Sequence, residues 1–295
     1  MPWNLIVILQ IISSSFLTLW YRKTGQVLKN QTLQISFVVY ICVAICGVLI
    51  SYYANSFSLP ELPSREALFY IFIEGLFIPA YWIIQFKLIS ILGAASAVVI
   101  QTLNYWTAAL FGLLLLGENL SKYFIFGFIF IFIAVYLSIS INLKNNNGQK
   151  LIKSLNNPTL ILVASAAIFF AIGMTAEKVA IDKTGVWNYA FYGWIAQLIG
   201  ATLFYYLFGQ KNKKPINAKF LKFSIIAGFM TALSGFFFIY ALSSGMLSKT
   251  IILTSSKIVL TSVLAVYFFK ENNNLVRRFT ALLLALLGLM MIFLE

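Results

Sequence analysis

A lysine inside an apolar stretch is the residue of this chain with the strongest chemical implication. Lys257 lies within the run 251–260, whose other members are apolar or carry only a hydroxyl group. An ionisable group at the middle of a bilayer costs about 2.5–3.5 kcal/mol on insertion scales, so it normally faces a water-filled cavity or a partner charge. Thr250, Thr254 and Thr261 share one helical face with Lys257. This stripe predicts either a cavity wall with Lys257 as the ligand of an anion, or a structural lysine paired with a carboxylate.

A second polar stripe carries an acid. Glu74, Tyr81 and Gln85 follow the spacing i, i+7, i+11, which places them on one face of a helix. Two roles are open for Glu74: it is a proton carrier, or it is the counter-ion that keeps Lys257 charged. The roles can coexist, because a proton arriving at Glu74 would release Lys257 to bind an anion.

Two amides complete the candidate substrate site. Gln101 and Asn104 are spaced i, i+3 in another apolar stretch, where an amide that faces lipid would be costly. They are predicted either to line a cavity or to join two helices. The candidate substrate-binding residues are therefore Lys257, Gln101, Asn104, Tyr81 and Thr254, with Glu74 as the proton or counter-ion residue.

Three other acids lie near the ends of apolar stretches. Glu177, beside Lys178, is predicted to reach the membrane interface with its carboxylate. Glu118 and Glu271 are predicted to meet the end of a neighbouring helix, and a gate contact is the alternative.

Composition places the chain in a membrane. Hydrophobic residues make up 61% of the sequence and charged residues only 10%, whereas about a quarter of a soluble domain is charged. We therefore predict an all-α integral membrane protein. The absence of histidine excludes histidine metal sites, Ser-His-Asp triads and histidine proton relays. Cys42 and Cys46 are interpreted as small buried residues, so neither a metal nor a cofactor is predicted.

The apolar residues are grouped into ten stretches, each close to the roughly 20 residues that one helical crossing needs. Short loops with proline or asparagine separate them. The predicted transmembrane helices cover roughly residues 3–21, 33–54, 66–87, 93–116, 122–141, 158–181, 186–209, 219–243, 247–269 and 275–294.

The chain contains an internal repeat. The motif 21–25 after the first stretch is echoed by 181–185 after the sixth, and Glu118 after the fourth is echoed by Glu271 after the ninth. We predict two five-helix repeats, with the boundaries 1–143 for the first, 144–157 for the connecting loop and 158–295 for the second. An odd number of crossings gives the two halves opposite orientations. Such inverted repeats recur in secondary transporters, where the substrate site lies near the midplane between them.

The basic residues are unequally distributed between the loops. Most of the 21 basic residues follow the odd-numbered stretches, and the net charge is +13. The positive-inside rule then places both termini outside the cytoplasm, in a multi-pass protein of the cell inner (cytoplasmic) membrane. Because membrane topology accounts for this charge, no nucleic-acid partner is predicted.

Two matching sets of motifs carry a resemblance to a known family. The first set is the stretch 91–97, the stretch 113–121 that contains Glu118, and Gly127; the second is 240–245, 268–271 with Glu271, and Gly288. With these motifs the chain resembles the drug/metabolite transporter superfamily, and in particular its ten-helix EamA-type branch. The resemblance covers nearly the whole chain and implies a ten-helix transporter fold.

The chain departs from that branch at two related positions. The branch usually has a proline in its fourth and ninth helices, where this chain has Asn104 and Lys257 at equal distances before Glu118 and Glu271. A lysine in the ninth helix is similar to the nucleotide-sugar and sugar-phosphate members of the superfamily, in which a basic residue contacts an anionic substrate.

These features predict a secondary active or facilitative transporter, and not an enzyme. Its substrate would be a small polar metabolite, anionic or zwitterionic, such as an amino acid, carried by alternating access around a midplane site. The sequence has no G-x-x-x-x-G-K-[ST] motif, so ATP is not predicted to drive it directly. The alternatives are a membrane protein without solute flux, for lipid handling or as a scaffold, and an enzyme that forms a Schiff base on Lys257.

The predicted partners are a small-molecule substrate and the lipid bilayer. Ala281, Ala285 and Gly288 form a seam of small residues in the last stretch. Such a seam indicates either close helix packing or the contact of a homodimer.

Overall fold

The computed structural model describes residues 2–28, 31–92, 94–119, 121–145, 157–208, 216–269 and 275–294. Within these ranges the chain forms helices and no strands. The helices are α1 (Trp3–Val27), α2 (Thr32–Ala54), α3 (Arg65–Leu92), α4 (Ala94–Leu115), α5 (Lys122–Asn145), α6 (Asn157–Phe208), α7 (Ala218–Ser244), α8 (Leu247–Ser255), α9 (Lys257–Phe269) and α10 (Leu275–Phe293).

α6 consists of two arms that meet at Gly185. The backbone of Gly185 has φ 76° and ψ 163°, a conformation that glycine adopts without the steric cost of a Cβ atom. The first arm covers residues 157–184 and the second covers 186–208. The break allows the two arms to take different directions, so that each contributes its own residues to the interior of the bundle.

α8 and α9 are separated by a single residue inside the predicted ninth stretch. The hydroxyl groups of Ser255 and Ser256 each donate to the carbonyl oxygen three residues earlier, at 2.6 Å. Side-chain hydrogen bonds of this kind compete with the backbone ladder and bend helices. Lys257 is consequently the first residue of a new helix.

The helices have the length and composition of a protein that crosses the bilayer several times. Within the described residues, seven stretches qualify as membrane spans, and one of them, Thr159–Phe208, contains both arms of α6. Leu103–Leu115 and Lys122–Leu137 are shorter apolar helical stretches. Each of the ten predicted stretches overlaps a helix, although the sixth and seventh merge in α6 and the ninth is divided between α8 and α9. The prediction of an all-α, multi-pass membrane protein is confirmed.

A very close approach joins α3 to the second arm of α6. A Cβ atom on Gly200 would lie 1.9 Å from the carbonyl oxygen of Gly75, and a Cβ atom on Gly75 would lie 2.9 Å from the carbonyl oxygen of Ala196. No side chain fits at such distances, so the two backbones touch directly. Glu74 precedes Gly75 in α3 and is thereby held next to α6.

The predicted seam of small residues packs inside the chain. Ala281 and Ala285 are buried on α10, and Gly288 faces Gly127 on α5. The contact is reciprocal, because a Cβ atom on either glycine would lie 2.7 Å from the carbonyl oxygen of the other. The seam therefore serves helix packing within one chain.

Gly200→Ala is expected to lower the thermal unfolding temperature of the purified protein. The added methyl group would collide with the carbonyl oxygen of Gly75, and overpacking of this kind costs about 1–3 kcal/mol. Gly235→Ala is the matched control, because a Cβ atom there would lie at an ordinary 3.5 Å from Trp194. Thermal unfolding in detergent measures the difference. Equal unfolding temperatures for Gly200→Ala and the wild type would show that α3 and α6 do not touch in this way.

Candidate functional site

Lys257 points into the bundle from the start of α9. Its ammonium lies 5.1 Å from the centre of the Tyr105 ring, and Tyr105 is buried on α4. Lys257 is half-buried, whereas Ser256 and Ile258 on either side are buried. A cation over an aromatic face gains about 0.5–2 kcal/mol, which is less than the cost of placing the charge in the membrane.

Lys257 has no carboxylate partner within the part of the chain that the structure describes. The ion pairs found there join Lys178 to Asp182 at 2.7 Å and Lys183 to Glu66 at 2.9 Å. The ion pair that was one of the two predicted roles of Glu74 is therefore not formed in this structure, and the charge of Lys257 is open to another partner.

Two rings extend from Tyr105 towards the predicted amides. Phe170, on the first arm of α6, packs against Tyr105 with 5.3 Å between ring centres and against Tyr81 with 4.7 Å. The hydroxyl group of Tyr81 interacts with the side chains of Gln101 and Asn104. Four of the five predicted substrate residues are thus linked by a series of contacts through Tyr105 and Phe170. We name this group the lysine site, and its members are Lys257, Tyr81, Gln101, Asn104, Tyr105 and Phe170.

Asn104 is the least satisfied member of the lysine site. Its side chain is fully buried, and among the described residues neither its amide nitrogen nor its amide oxygen has a hydrogen-bond partner of ordinary geometry. Leaving a buried polar group without a partner costs about 1–3 kcal/mol, and buried amides normally have one. Asn104 therefore holds an unsatisfied donor and an unsatisfied acceptor next to the Tyr81 hydroxyl group.

Thr254, the fifth predicted substrate residue, contacts a neighbouring helix. Its hydroxyl group donates to Oε1 of Gln10 at 3.2 Å, which joins α8 to α1. The hydroxyl groups of Thr250 and Thr261, on the same stripe, have no partner among the described residues. In this structure the stripe is thus divided between a helix contact at Thr254 and unpartnered hydroxyl groups on either side of it.

Glu74 belongs to a second buried polar group. It is fully buried on α3 and accepts a hydrogen bond from Nε2 of Gln197, on the second arm of α6. Glu177, on the first arm, is only 3% exposed and lies within electrostatic range of Glu74. The buried hydroxyl group of Tyr189 lies close to both carboxyl groups. We name Glu74, Glu177, Tyr189 and Gln197 the acid site.

The predicted position of Glu177 at the membrane interface is wrong. The first arm of α6 continues to residue 184, so Glu177 lies inside the helix and faces the bundle. The side chain of Lys178 is 12% exposed, and its ammonium contacts Asp182 and the Leu242 carbonyl oxygen. One signal for the inward face was present in the sequence. Gly173 precedes Glu177 by one helical turn, and a Cβ atom there would lie 2.5 Å from a side-chain atom of α3.

Tyr40 connects the two sites. It is buried on α2 and lies within electrostatic range of Glu74, Glu177 and Tyr81. Tyr81 belongs to the lysine site and Glu74 to the acid site, and both project from the same face of α3 two turns apart. The two sites are therefore neighbours in one interior.

Glu118 caps the start of α8 from the loop that follows α4. Its carboxylate accepts hydrogen bonds from the backbone N–H groups of Leu247 and Ser248, and also from the Ser248 hydroxyl group. The unpaired N–H groups of a helix start favour an anion at this position. The predicted meeting of Glu118 with the end of a neighbouring helix is confirmed. Glu271 lies outside the described residues.

A helical bundle that crosses the membrane several times and encloses unpartnered polar groups is typical of membrane transport proteins. The profile of the EamA-like transporter family matches residues 1–140 and 157–294 of this chain. The chain belongs to the EamA-like transporter family, and through it to the drug/metabolite transporter superfamily.

Solved structures support the same fold. Matches are found in 27 chains of known structure. One of them, a crystal structure of another protein, superposes with a TM-score of 0.75 over 99% of this chain and 96% of that chain, at 15% sequence identity. At this identity the likeness establishes the fold alone. None of the curated proteins compared with the chain shows a significant match.

Glu118→Ala is expected to destabilise the protein by about 1–3 kcal/mol, because the donors at the start of α8 lose their charged acceptor. Glu61→Ala is the matched control, since Glu61 is exposed in the loop before α3. Thermal unfolding of both variants in detergent measures the effect. The cap would be refuted by an unfolding temperature of Glu118→Ala that is no lower than that of Glu61→Ala.

Proposed function

We propose that this protein is a secondary transporter that carries a small anionic or zwitterionic metabolite, such as an amino acid, by alternating access around the lysine site. Lys257 is the observation that carries the proposal. Its ammonium faces the interior of the bundle and has no ion-pair partner among the described residues. A charge within a membrane needs such a partner, and the acidic group of a bound substrate would supply it.

The neutral groups of the lysine site suit the remainder of a polar substrate. Asn104 has a donor and an acceptor to offer, and it lies beside the Tyr81 hydroxyl group and Gln101. Tyr105 and Phe170 add apolar ring surface next to these polar atoms. A molecule with an acidic group at one end and a second hydrogen-bonding group at the other would meet all of these requirements. Thr254 would contribute if the helix contact to Gln10 opened during the cycle.

We further propose that the chain crosses the membrane ten times, as two inverted halves over residues 1–143 and 158–295. The reciprocal contact of Gly127 with Gly288 supports this arrangement, because it pairs the last helix of one half with the last helix of the other. The double match of the family profile supports it as well. With the observed bias of basic residues, both termini would lie outside the cytoplasm, in the inner membrane.

Transport in this proposal is driven by an ion gradient or by exchange of solutes. Glu74 takes the role of proton carrier, because its carboxyl group contacts Gln197 and forms no ion pair with Lys257 in the described chain. The charge of Lys257 is then reserved for the substrate.

Lys257→Met is expected to weaken substrate binding roughly 10- to 100-fold, because losing a charge-assisted hydrogen bond costs about 1.5–3 kcal/mol. A thermal-shift screen of metabolites on the purified protein first identifies solutes that bind. Their uptake into proteoliposomes is then compared for the wild type and the variant. Lys122→Met is the matched control, since Lys122 is exposed at the start of α5 and its loss removes the same charge outside the bundle.

Three other results would each contradict the proposal. Unchanged uptake of every accepted solute by Lys257→Met would remove the anion-binding role of the lysine. Phospholipid scrambling without solute uptake would identify a lipid-handling protein. An adduct trapped on Lys257 by borohydride would identify an enzyme.

A further inference from the structure

The acid site is assembled across the break in α6. Glu177 comes from the arm before Gly185, whereas Tyr189 and Gln197 come from the arm after it. Glu74 approaches from α3, where the contact at Gly75 leaves no space between the helices. The exposed fractions of the four side chains in the acid site lie between 0% and 8%, so the site is closed to bulk water.

Neither carboxyl group of the acid site has a cation beside it in the described ranges. The polar and titratable groups that face it are Tyr40 from α2, Tyr189 and Gln197 from α6, and Tyr81 further along α3. The neighbouring basic residue, Lys178, donates to Asp182 and to the Leu242 carbonyl oxygen. Lys257 lies against Tyr105 in the lysine site. At least one of the two negative charges must therefore be removed by something other than a basic side chain of the described chain.

Two carboxylates enclosed together cannot both remain charged without compensation. Each would lose its hydration, and each would repel the other in surroundings of low polarity. Pairs of acids in enzyme active sites solve the same problem by holding one proton between them. One proton removes one of the two charges and supplies an O–H donor that the remaining carboxylate can accept.

The hydroxyl group of Tyr189 is the polar neighbour that the two acids share. Its hydroxyl group is fully buried and close to both acids, yet it has no hydrogen bond of ordinary geometry among the described residues. The second carboxyl oxygen of Glu74 is also without a partner there. Buried polar groups normally have partners. A protonated carboxyl group would bring a new donor to this place.

We propose that Glu74 and Glu177 together bind one proton, hydrogen-bonded to Tyr189, and that this proton is the coupling ion of transport. The proposal rests on the proposed transport function and adds to it Glu177 and Tyr189 as further parts of the proton site. Gln197 supports a proton over a metal cation, because its amide directs an N–H group to Glu74 and not a carbonyl oxygen to a shared ion.

The position of the acid site explains how a proton would act on the substrate. Release of the proton leaves two like charges, one on α3 and one on the first arm of α6, and repulsion then favours their separation. The two arms of α6 join at Gly185, where the helix is already broken. Tyr40 lies near both acids and near Tyr81, which belongs to the lysine site. Proton release would thus favour a different packing of the helices that carry both sites.

Infrared difference spectroscopy of the purified protein tests proton binding without a known substrate. At neutral pH the wild type is expected to show the carbonyl-stretch band of a protonated carboxylic acid, which shifts in D₂O and disappears at high pH. The band should be lost in the double variant Glu74→Gln, Glu177→Gln. Glu61→Gln, which makes the same change at an exposed position, should keep it. Tyr189→Phe should change the band frequency, because the hydroxyl group next to the acids is gone.

Three spectroscopic results would overturn the shared proton. The first is a wild type without the band, and the second is a band that persists in the double variant. The third is a band that vanishes when Na⁺ replaces choline at constant pH, which would assign the site to a metal cation. Retention of the band frequency in Tyr189→Phe would exclude the tyrosine from the proton site.

Transport assays then separate this proposal from the proposed function. Solute exchange at zero gradient reports transport itself, and accumulation driven by a pH gradient reports proton coupling. Glu177→Gln is expected to reduce accumulation far more than exchange, while Glu61→Gln retains both. If the wild type exchanges solute but does not accumulate it in a pH gradient, proton coupling is refuted and the proposed transport function stands. Absence of both would refute the transport function.

Discussion

The direct contact between the backbones of α3 and the second arm of α6 is the constraint on which the interior depends. Gly75 and Gly200 allow the two helices to touch, and Glu74 is adjacent to that contact. A larger residue at either glycine would separate the helices and admit space beside the acid. Because of this contact, Glu74 is buried and lies near Glu177 and Tyr189.

The interior holds charges of both signs but keeps them apart. Lys257 rests on an aromatic ring, and the acids lie against amide and hydroxyl groups of other helices. An internal ion pair would have satisfied both at once, and the described residues do not form one. Separation leaves each charge available for an external partner, so the energy lost by not pairing the groups inside the chain can be recovered when a solute or an ion binds.

Much of this arrangement is predictable from the sequence, because one-dimensional periodicity determines which residues share a helical face. The helical stretches, the burial of Glu74 with Tyr81, and the inward direction of Lys257 all follow from spacing and hydropathy. The burial of Glu177 could not be predicted in this way. It depends on how far the first arm of α6 extends beyond the adjacent residues Glu177 and Lys178. The partners of each side chain depend on contacts between distant segments, such as Gly75 with Gly200, which no local pattern contains.

The glycine contact between α5 and α10 has a consequence for the way the molecule can change shape. Gly127 and Gly288 bring the two backbones together with no side chain between them, so neither helix can slide or tilt alone without a collision. α5 and α10 must therefore move together as a pair, although α6, α7, α8 and α9 lie between them in the sequence. Helices that move together in this protein therefore need not be consecutive in the chain. Any rearrangement of the other helices would take place around the α5–α10 pair.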